Sequence, residues 1–171
     1  MTIIQMFNLN PTIMEVSVSD LEIIARQKDT VFKIAYAYIK NISDAEDIFQ
    51  EVFLRYFKKA PAFESFDHEK AWFIRVTINC CKKILLSSWF KKVQPIQDNI
   101  SFEGPEESDL FYAVMNLPLK YRVVVHLFYY ENYKIKEIAD ITSQKETTVA
   151  TQLQRARNML RNKLSEEFLY E

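Results

Sequence analysis

The sequence predicts an all-α protein built as two small helical domains. Composition is the first reason: about half of the 171 residues are apolar, yet the chain holds one glycine and five prolines. So few turn formers cannot serve the many tight connections of a sandwich or barrel. The second reason is a set of Ser-x-x-Glu segments that mark helix starts. The third is an apolar period of three and four residues that runs along most of the chain and lapses between Trp89 and Pro105, dividing it in two.

Residues 1–18 form an acidic, apolar N-terminal extension to which the sequence assigns no role. The first domain spans 19–90. "SDLE" at Ser19 to Glu22 and "SDAE" at Ser43 to Glu46 both fit a capping box, in which Ser and Glu satisfy each other's free backbone N–H groups, and two helices are expected to begin there. The second carries Ala45, Ile48, Phe49, Val52, Phe53, Tyr56 and Phe57 as one apolar stripe, and Pro61 closes it. A third helix, from about His68 to Ser87, is apolar nearly all round and should be central to the domain.

Residues 91–108 read as a flexible linker, with Pro95, Asp98, Asn99, Ser101, Gly104 and Pro105 breaking any period. The second domain, 109–171, holds four short helical patterns. They are divided at Leu117–Pro118, at Tyr130 to Tyr133 and at Thr142 to Gln144, where Ser143 and Glu146 suggest a third box.

Net charge is −1, but the charge is segregated. Asp67 to Lys92 sets Lys70, Arg75, Lys82, Lys83, Lys91 and Lys92 against Asp67 and Glu69; Lys145 to Lys163 sets five bases against Glu146. Between these basic segments, Val93 to Tyr112 holds five acids and no base. The net charge alone argues against indiscriminate coating of DNA, but two basic segments stand separated by an acidic one.

Cys80 and Cys81 are adjacent, which argues against a disulfide framework, and His68 and His126 supply no ligand cluster for a metal. No apolar run is long enough to span a bilayer, so a reducing cytoplasm is expected. With no carboxylate pair, activated nucleophile or Gly-rich phosphate loop, the chain is expected to be no enzyme and to need no cofactor.

The strongest functional pattern is "IKEIADITSQKETTVATQLQRARNML", from Ile135 to Leu160. A short helix, a tight break and a longer helix with Val149, Leu153, Ala156 and Leu160 inward have the form of a helix-turn-helix. Its outward residues would be Thr148, Thr151, Gln152 and Arg155, with Lys145 near the start and Arg157 further along. Gln and Arg can contact base edges in pairs of hydrogen bonds, and Thr can serve base or phosphate. A plain surface helix of a small bundle fits the same spacing.

At this point the residues resemble a family. "LPLKYRVVVHLFYYENYKIKEIAD" followed by "TTVATQLQRARNML" resembles the promoter-reading domain of extracytoplasmic-function (ECF) sigma factors, a subfamily of the sigma-70 family of RNA polymerase sigma factors. Independently, "DAEDIFQEVF" resembles the segment with which these proteins grip core polymerase, and "AWFIRVTIN" the helix beside their minus-10 reader.

The resemblance implies a sigma factor that directs the polymerase core to promoters through the beta-prime clamp and beta flap, as a monomer when free. An anti-sigma partner is left open. The implied core-binding residues are Asp44, Asp47, Gln50, Glu51 and Leu54. The minus-10 set is Phe63, Phe66, Lys70, Arg75, Asn79, Lys82 and Lys83; the minus-35 set is Lys145, Thr148, Thr151, Gln152, Arg155 and Arg157.

Arg75, Asn79 and Lys82 recur at i, i+4 and i+7, a polar stripe that can hold phosphates while Asn reads a base. By resemblance, Phe63 and Phe66 capture an unstacked base; as residues they serve equally well as core plugs. The acidic linker either imitates a nucleic-acid backbone in the polymerase channel or simply keeps the chain extended and soluble.

The chain departs from the family pattern. Ser143 and Thr147 stand where relatives usually carry Gly, tolerable if neither position needs positive φ. Ala150 and Gln152 replace the usual basic residues of the reading helix, which should weaken phosphate binding and throw it onto Arg155, Arg157 and Arg161. Lys83 and Leu86 replace the Asp and Arg often found on the third helix, so no promoter sequence carries over. These departures keep two other readings open: a stand-alone, dimeric helix-turn-helix regulator, and a degenerate sigma-like module that holds polymerase without reading DNA.

Overall fold

The computed structural model describes residues 17–87 and 109–167; the N-terminal sixteen residues and the expected linker lie outside them. Every regular element among the described residues is helical. Three helices form the first bundle: α1 (Val18–Ile39), α2 (Ile42–Lys59) and α3 (Phe66–Leu86). The second comprises α4 (Asp109–Met115), α5 (Leu119–Val125), a π-helical turn (His126–Tyr130) that continues α5, α6 (Ile135–Thr142) and α7 (Glu146–Glu167).

The helices start close to where the sequence places them, but the caps differ. The box of α1 is Ser17 with Asp20, not Ser19 with Glu22: Ser17 Oγ accepts from the Asp20 amide at 3.2 Å and Asp20 Oδ2 accepts from the Ser17 amide at 3.0 Å. Asp closes the box as Glu would, and the Tyr56 hydroxyl donates to Asp20 Oδ1 at 2.6 Å, tying the start of α1 to α2.

Helix α2 is capped by Asn41 rather than Ser43, its side chain accepting from the Asp44 amide at 2.9 Å. Only Lys40 and Asn41 separate α1 from α2, and Lys40 ends α1 in the left-handed region at φ 59°, so the cap falls on Asn41. Ser143 is no N-cap either. It is the C-cap of α6, at φ 58° and ψ 46°, and the Gln144 amide reaches back to the Ala139 carbonyl at 2.9 Å. This is the geometry that favours glycine, and here serine bears its steric cost.

The apolar stripes are buried as their period requires. Ala45, Ile48, Phe49, Val52, Phe53 and Tyr56 of α2 meet Phe73, Ile74 and Ile78 of α3 and Val31, Ile34 and Ala35 of α1. The Phe53 and Phe73 rings meet tilted at 41°, with centroids 5.3 Å apart. Across this core, buried Glu69 of α3 accepts from Arg26 Nε at 3.2 Å, Arg26 Nη2 at 2.9 Å and Gln27 Nε2 at 2.8 Å. A carboxylate taken out of water here keeps three donors, two from a cation.

In the second bundle, α7 buries Val149, Leu153 and Ala156 against α5, where Val123, Val124 and Val125 are buried, and against α6 through Ile138, Ala139 and Ile141. The π turn is closed by the Glu131 amide reaching the His126 carbonyl at 3.2 Å. It widens the helix just before Glu131.

The two bundles dock on each other. Arg122 of α5 is buried and donates to the carbonyls of Ala37 and Tyr38 (3.4 Å to the latter) on α1, and to those of Met115 at 2.8 Å and Leu117 at 3.0 Å in its own bundle. Its guanidinium thereby serves carbonyls at and near two helix ends, groups that lack intrahelical partners or face inward. Burial lowers its pKa to about 10.

Candidate nucleic-acid interface

The outer face of α2 carries the expected core-binding residues together. Asp47, Gln50 and Glu51 are exposed, and Asp44 and Leu54 are half-buried beside them. Partial desolvation, and then the neighbouring charge of Asp47, raise the pKa of Asp44. Glu51 is not free: Arg55 Nε donates to its Oε1 at 2.7 Å, one turn on. Arg55 was missed from sequence, although its i, i+4 spacing from Glu51 was a readable signal.

On α3, Arg75, Asn79, Lys82 and Lys83 are exposed, as is Leu86. Lys82 Nζ lies 3.4 Å from the Thr142 carbonyl at the end of α6, so this stripe runs up to the edge of the second bundle. Lys70 does not open onto solvent with the others. Its Nζ pairs with Glu131 Oε2 at 2.9 Å, donates to the Glu131 carbonyl at 3.3 Å and lies 5.6 Å from the Tyr133 ring centre.

Phe63, before α3, and Phe66, its first residue, take different environments. Phe63 is half-buried in an aromatic cluster, parallel to Tyr56 at 6.4 Å and edge-on to Trp72 at 5.9 Å. Phe66 is 72% exposed, beneath the Arg26 guanidinium at 5.0 Å. One is a core plug and the other an open ring, a distinction the loop sequence leaves undecided.

The helix-turn-helix brings most of its set together. Thr148, Thr151, Gln152 and Arg155 of α7, with Thr147, line a cleft of about 340 Å³ whose other wall is Lys120 and Tyr121 in the first turn of α5. The Thr151 hydroxyl donates to the Thr147 carbonyl at 2.8 Å, so its methyl group rather than its proton is available outward. Gln152 Oε1 is buried and has no hydrogen-bond partner. Hydrogen bonding from Arg155 is the main reason the Tyr121 phenol sits below its ordinary pKa, with the Lys120 ammonium acting in the same direction.

Lys145 is exposed ahead of α7, its carbonyl accepting from the Thr148 amide at 3.0 Å. Arg157 lies apart from the cleft. Its Nε donates to the Tyr129 hydroxyl at 2.7 Å, and its guanidinium packs over the Phe128 and Tyr129 rings of the π turn. Lys120 and Tyr121 had escaped the sequence reading, since nothing in "LPLKYR" signals which side of α5 meets α7.

Both cysteines are free and buried, no described helix is long and apolar enough to cross a membrane, and the described residues contain no group of three or more potential metal ligands. Two docked helical bundles, the second closed by a helix-turn-helix with Thr and Arg exposed on its longer helix, define a class: all-helical proteins that carry a helix-turn-helix beside a second helical module.

Comparison with known proteins resolves the class. Residues 23–90 match the family model "Sigma-70 region 2" and residues 109–160 match "Sigma-70, region 4". The chain is 31% identical over 153 residues to RNA polymerase sigma factor SigV of Bacillus subtilis, covering 85% of this chain and 91% of that protein. It is 26% identical over 168 residues to ECF RNA polymerase sigma factor SigW of the same organism, covering 84% and 87%. Its fold is similar to that of the sigma factor RpoE from Bartonella quintana, solved in complex with the anti-sigma factor NepR, with a TM-score of 0.69 and 18% identity over 87% of this chain and 98% of that one.

The chain belongs to the sigma-70 family of RNA polymerase sigma factors, within its extracytoplasmic-function subfamily. Its function is promoter-specific initiation of transcription.

Proposed function

We propose that this chain binds core RNA polymerase through the outer face of α2 and reads two promoter elements, one with α3 and one with α7, in the cytoplasm and without catalysing a reaction itself. Asp47, Gln50 and Glu51, with Asp44 and Leu54 at the edge, form the core-binding patch: polar groups around one apolar side chain suit a partner helix. Arg75, Asn79, Lys82 and Lys83 meet the minus-10 region, joined by Phe66 as the exposed ring on which an unstacked base can lie. Lys70 joins them once its contact with Glu131 is given up. Thr148, Thr151, Gln152 and Arg155 meet the minus-35 element in the major groove, with Lys145 on phosphate and Arg157 near the backbone.

The observation that carries this reading is the division of labour on α7. Val149, Leu153 and Ala156 are buried, while Thr148, Thr151 and Arg155 stay exposed. An anti-sigma factor is the remaining partner class, and to silence the chain it would have to cover the α2 patch or the α7 face.

The test is competition: purified chain against a housekeeping sigma factor for bacterial core polymerase, followed by transcription from promoters selected with the resulting holoenzyme. Displacement of the competitor and defined start sites are expected. Absence of core binding would overturn the reading, and tight binding of duplex DNA by a free dimer would replace it with that of a stand-alone regulator.

A further inference from the structure

The reading helix of this chain is short of charge. From Thr147 to Gln154 it carries no cation, and Ala150 and Gln152 within that stretch are uncharged. Charge arrives instead from outside the helix-turn-helix. Exposed Lys120 and half-buried Tyr121 stand in the first turn of α5 and face Thr148, Thr151, Gln152 and Arg155 across the 340 Å³ cleft.

Two cations flank this cleft and no carboxylate lines it. Lys120 and Arg155 line it together with Tyr121, and Lys120 Nζ lies 5.0 Å from the Tyr121 ring centre, so two like charges face one small space. Bringing like charges together is unfavourable unless an anion answers them, and a phosphate oxygen is the anion that a DNA-reading face meets. Gln152 lines the same cleft, and its Oε1 is buried without a hydrogen-bond partner. Thr148, Thr151 and Gln152 line the cleft and also belong to the outward half of α7, so DNA lying along α7 would pass over its mouth.

We propose that Lys120 and Tyr121 belong to the minus-35 interface: Lys120 neutralises a DNA backbone phosphate at the mouth of the cleft, and the Tyr121 hydroxyl positions the Arg155 guanidinium for its own contact. This rests on the promoter-reading role of α7 proposed above and adds residues outside the helix-turn-helix to it. Tyr121 is a positioning residue that acts through Arg155. Lys120 supplies charge that α7 lacks from Thr147 to Gln154.

The experiment uses holoenzyme assembled from the full chain and core polymerase, with a pool of duplexes randomised over the upstream element as probe. The duplex that wild type enriches is then titrated with each variant at several salt concentrations. Lys120→Gln is expected to weaken binding whatever the sequence, and to reduce the slope of log affinity against log salt by about 0.9, the value of one phosphate contact. Tyr121→Phe keeps the ring and removes only the hydroxyl. It is expected to weaken binding about two- to tenfold in the wild-type background and to have no further effect beside Arg155→Ala.

An unchanged salt slope for Lys120→Gln overturns the phosphate contact. A Tyr121→Phe loss that persists beside Arg155→Ala marks a merely structural role, and no loss at all removes Tyr121 from the interface; either result overturns the positioning claim. If wild-type holoenzyme enriches no duplex, the promoter-reading role fails and this inference with it. Enrichment with unaltered variants overturns the inference alone.

Discussion

Lys70 Nζ of α3 and Glu131 Oε2 of the second bundle lie 2.9 Å apart, and Glu131 is 8% exposed. The pair joins two modules that sequence assigns to different tasks, and it engages a lysine of the basic segment with a buried carboxylate. Thr30 Oγ1 at 3.5 Å from Oε2 and His126 Nε2 at 3.4 Å from Oε1 complete the surroundings of this carboxylate.

The first prediction follows from that environment. Burial pushes the Glu131 carboxyl up, but the imidazole of His126 and the ammonium of Lys70 more than offset this and hold it at about 2, against an ordinary 4.5. The unfolded chain therefore binds the proton more readily, so the stability this carboxylate contributes is complete above about pH 4.5 and is lost as pH falls toward about 2. Glu131→Gln should cost about 1–2 kcal/mol near neutral pH, and the gap from wild type should close on acidification. Unfolding midpoints measured over that range check it; a gap independent of pH would assign the loss to packing.

Arg122 makes the other connection between the bundles. Arg122→Met removes the donor from the carbonyls of Ala37, Tyr38, Met115 and Leu117 while keeping most of the side-chain volume. A loss of about 3–5 kcal/mol is expected on denaturant unfolding, because buried carbonyls lose a charged partner. A loss below about 1 kcal/mol would mean that water replaces the guanidinium.

Ser143 occupies a left-handed conformation at φ 58° between α6 and α7. Ser143→Gly relieves the Cβ clash at the helix-turn-helix break and should stabilise the chain by about 0.5–1 kcal/mol, after the entropy cost of glycine is counted. Thermal unfolding checks this, and an unchanged or lower midpoint would refute it.

Asp47 and Gln50 are exposed on α2. The double variant Asp47→Ala with Gln50→Ala should change stability by no more than about 0.5 kcal/mol. Its affinity for core polymerase should fall by about 1–2 kcal/mol if the patch lies within the interface. Titration with core polymerase measures one quantity and thermal unfolding the other; a stability loss that accounts for the whole effect would make the face structural.

Most of the fold was legible because helical amphipathicity is local. The stripe from Ala45 to Tyr56 and the buried face of Val149, Leu153 and Ala156 follow from a period that each segment carries by itself. Helix starts were legible only to within two residues. Asp20 could replace the expected Glu and Asn41 the expected Ser, and several polar residues near each terminus offered the same hydrogen bond. Of the candidate site, the faces of α2, α3 and α7 were readable. The separate fates of Phe63 and Phe66 were not, since both are large rings close together at the start of α3 and only the neighbouring Tyr56 and Trp72 decide which is covered.

By itself, then, the sequence determined the helices, the face each turns inward, and the family, all properties of residues within a few turns of one another. Only the tertiary structure decided that Arg122 reaches Ala37 across 85 residues and that Lys70 meets Glu131 across 61. It also decided that Tyr121 faces Arg155 across a cleft and that Arg157 turns away to Tyr129. A period records which way a side chain points from its own helix; which partner waits there depends on how helices pack, and for polar groups that partner decides whether a charge meets solvent, a carboxylate or DNA.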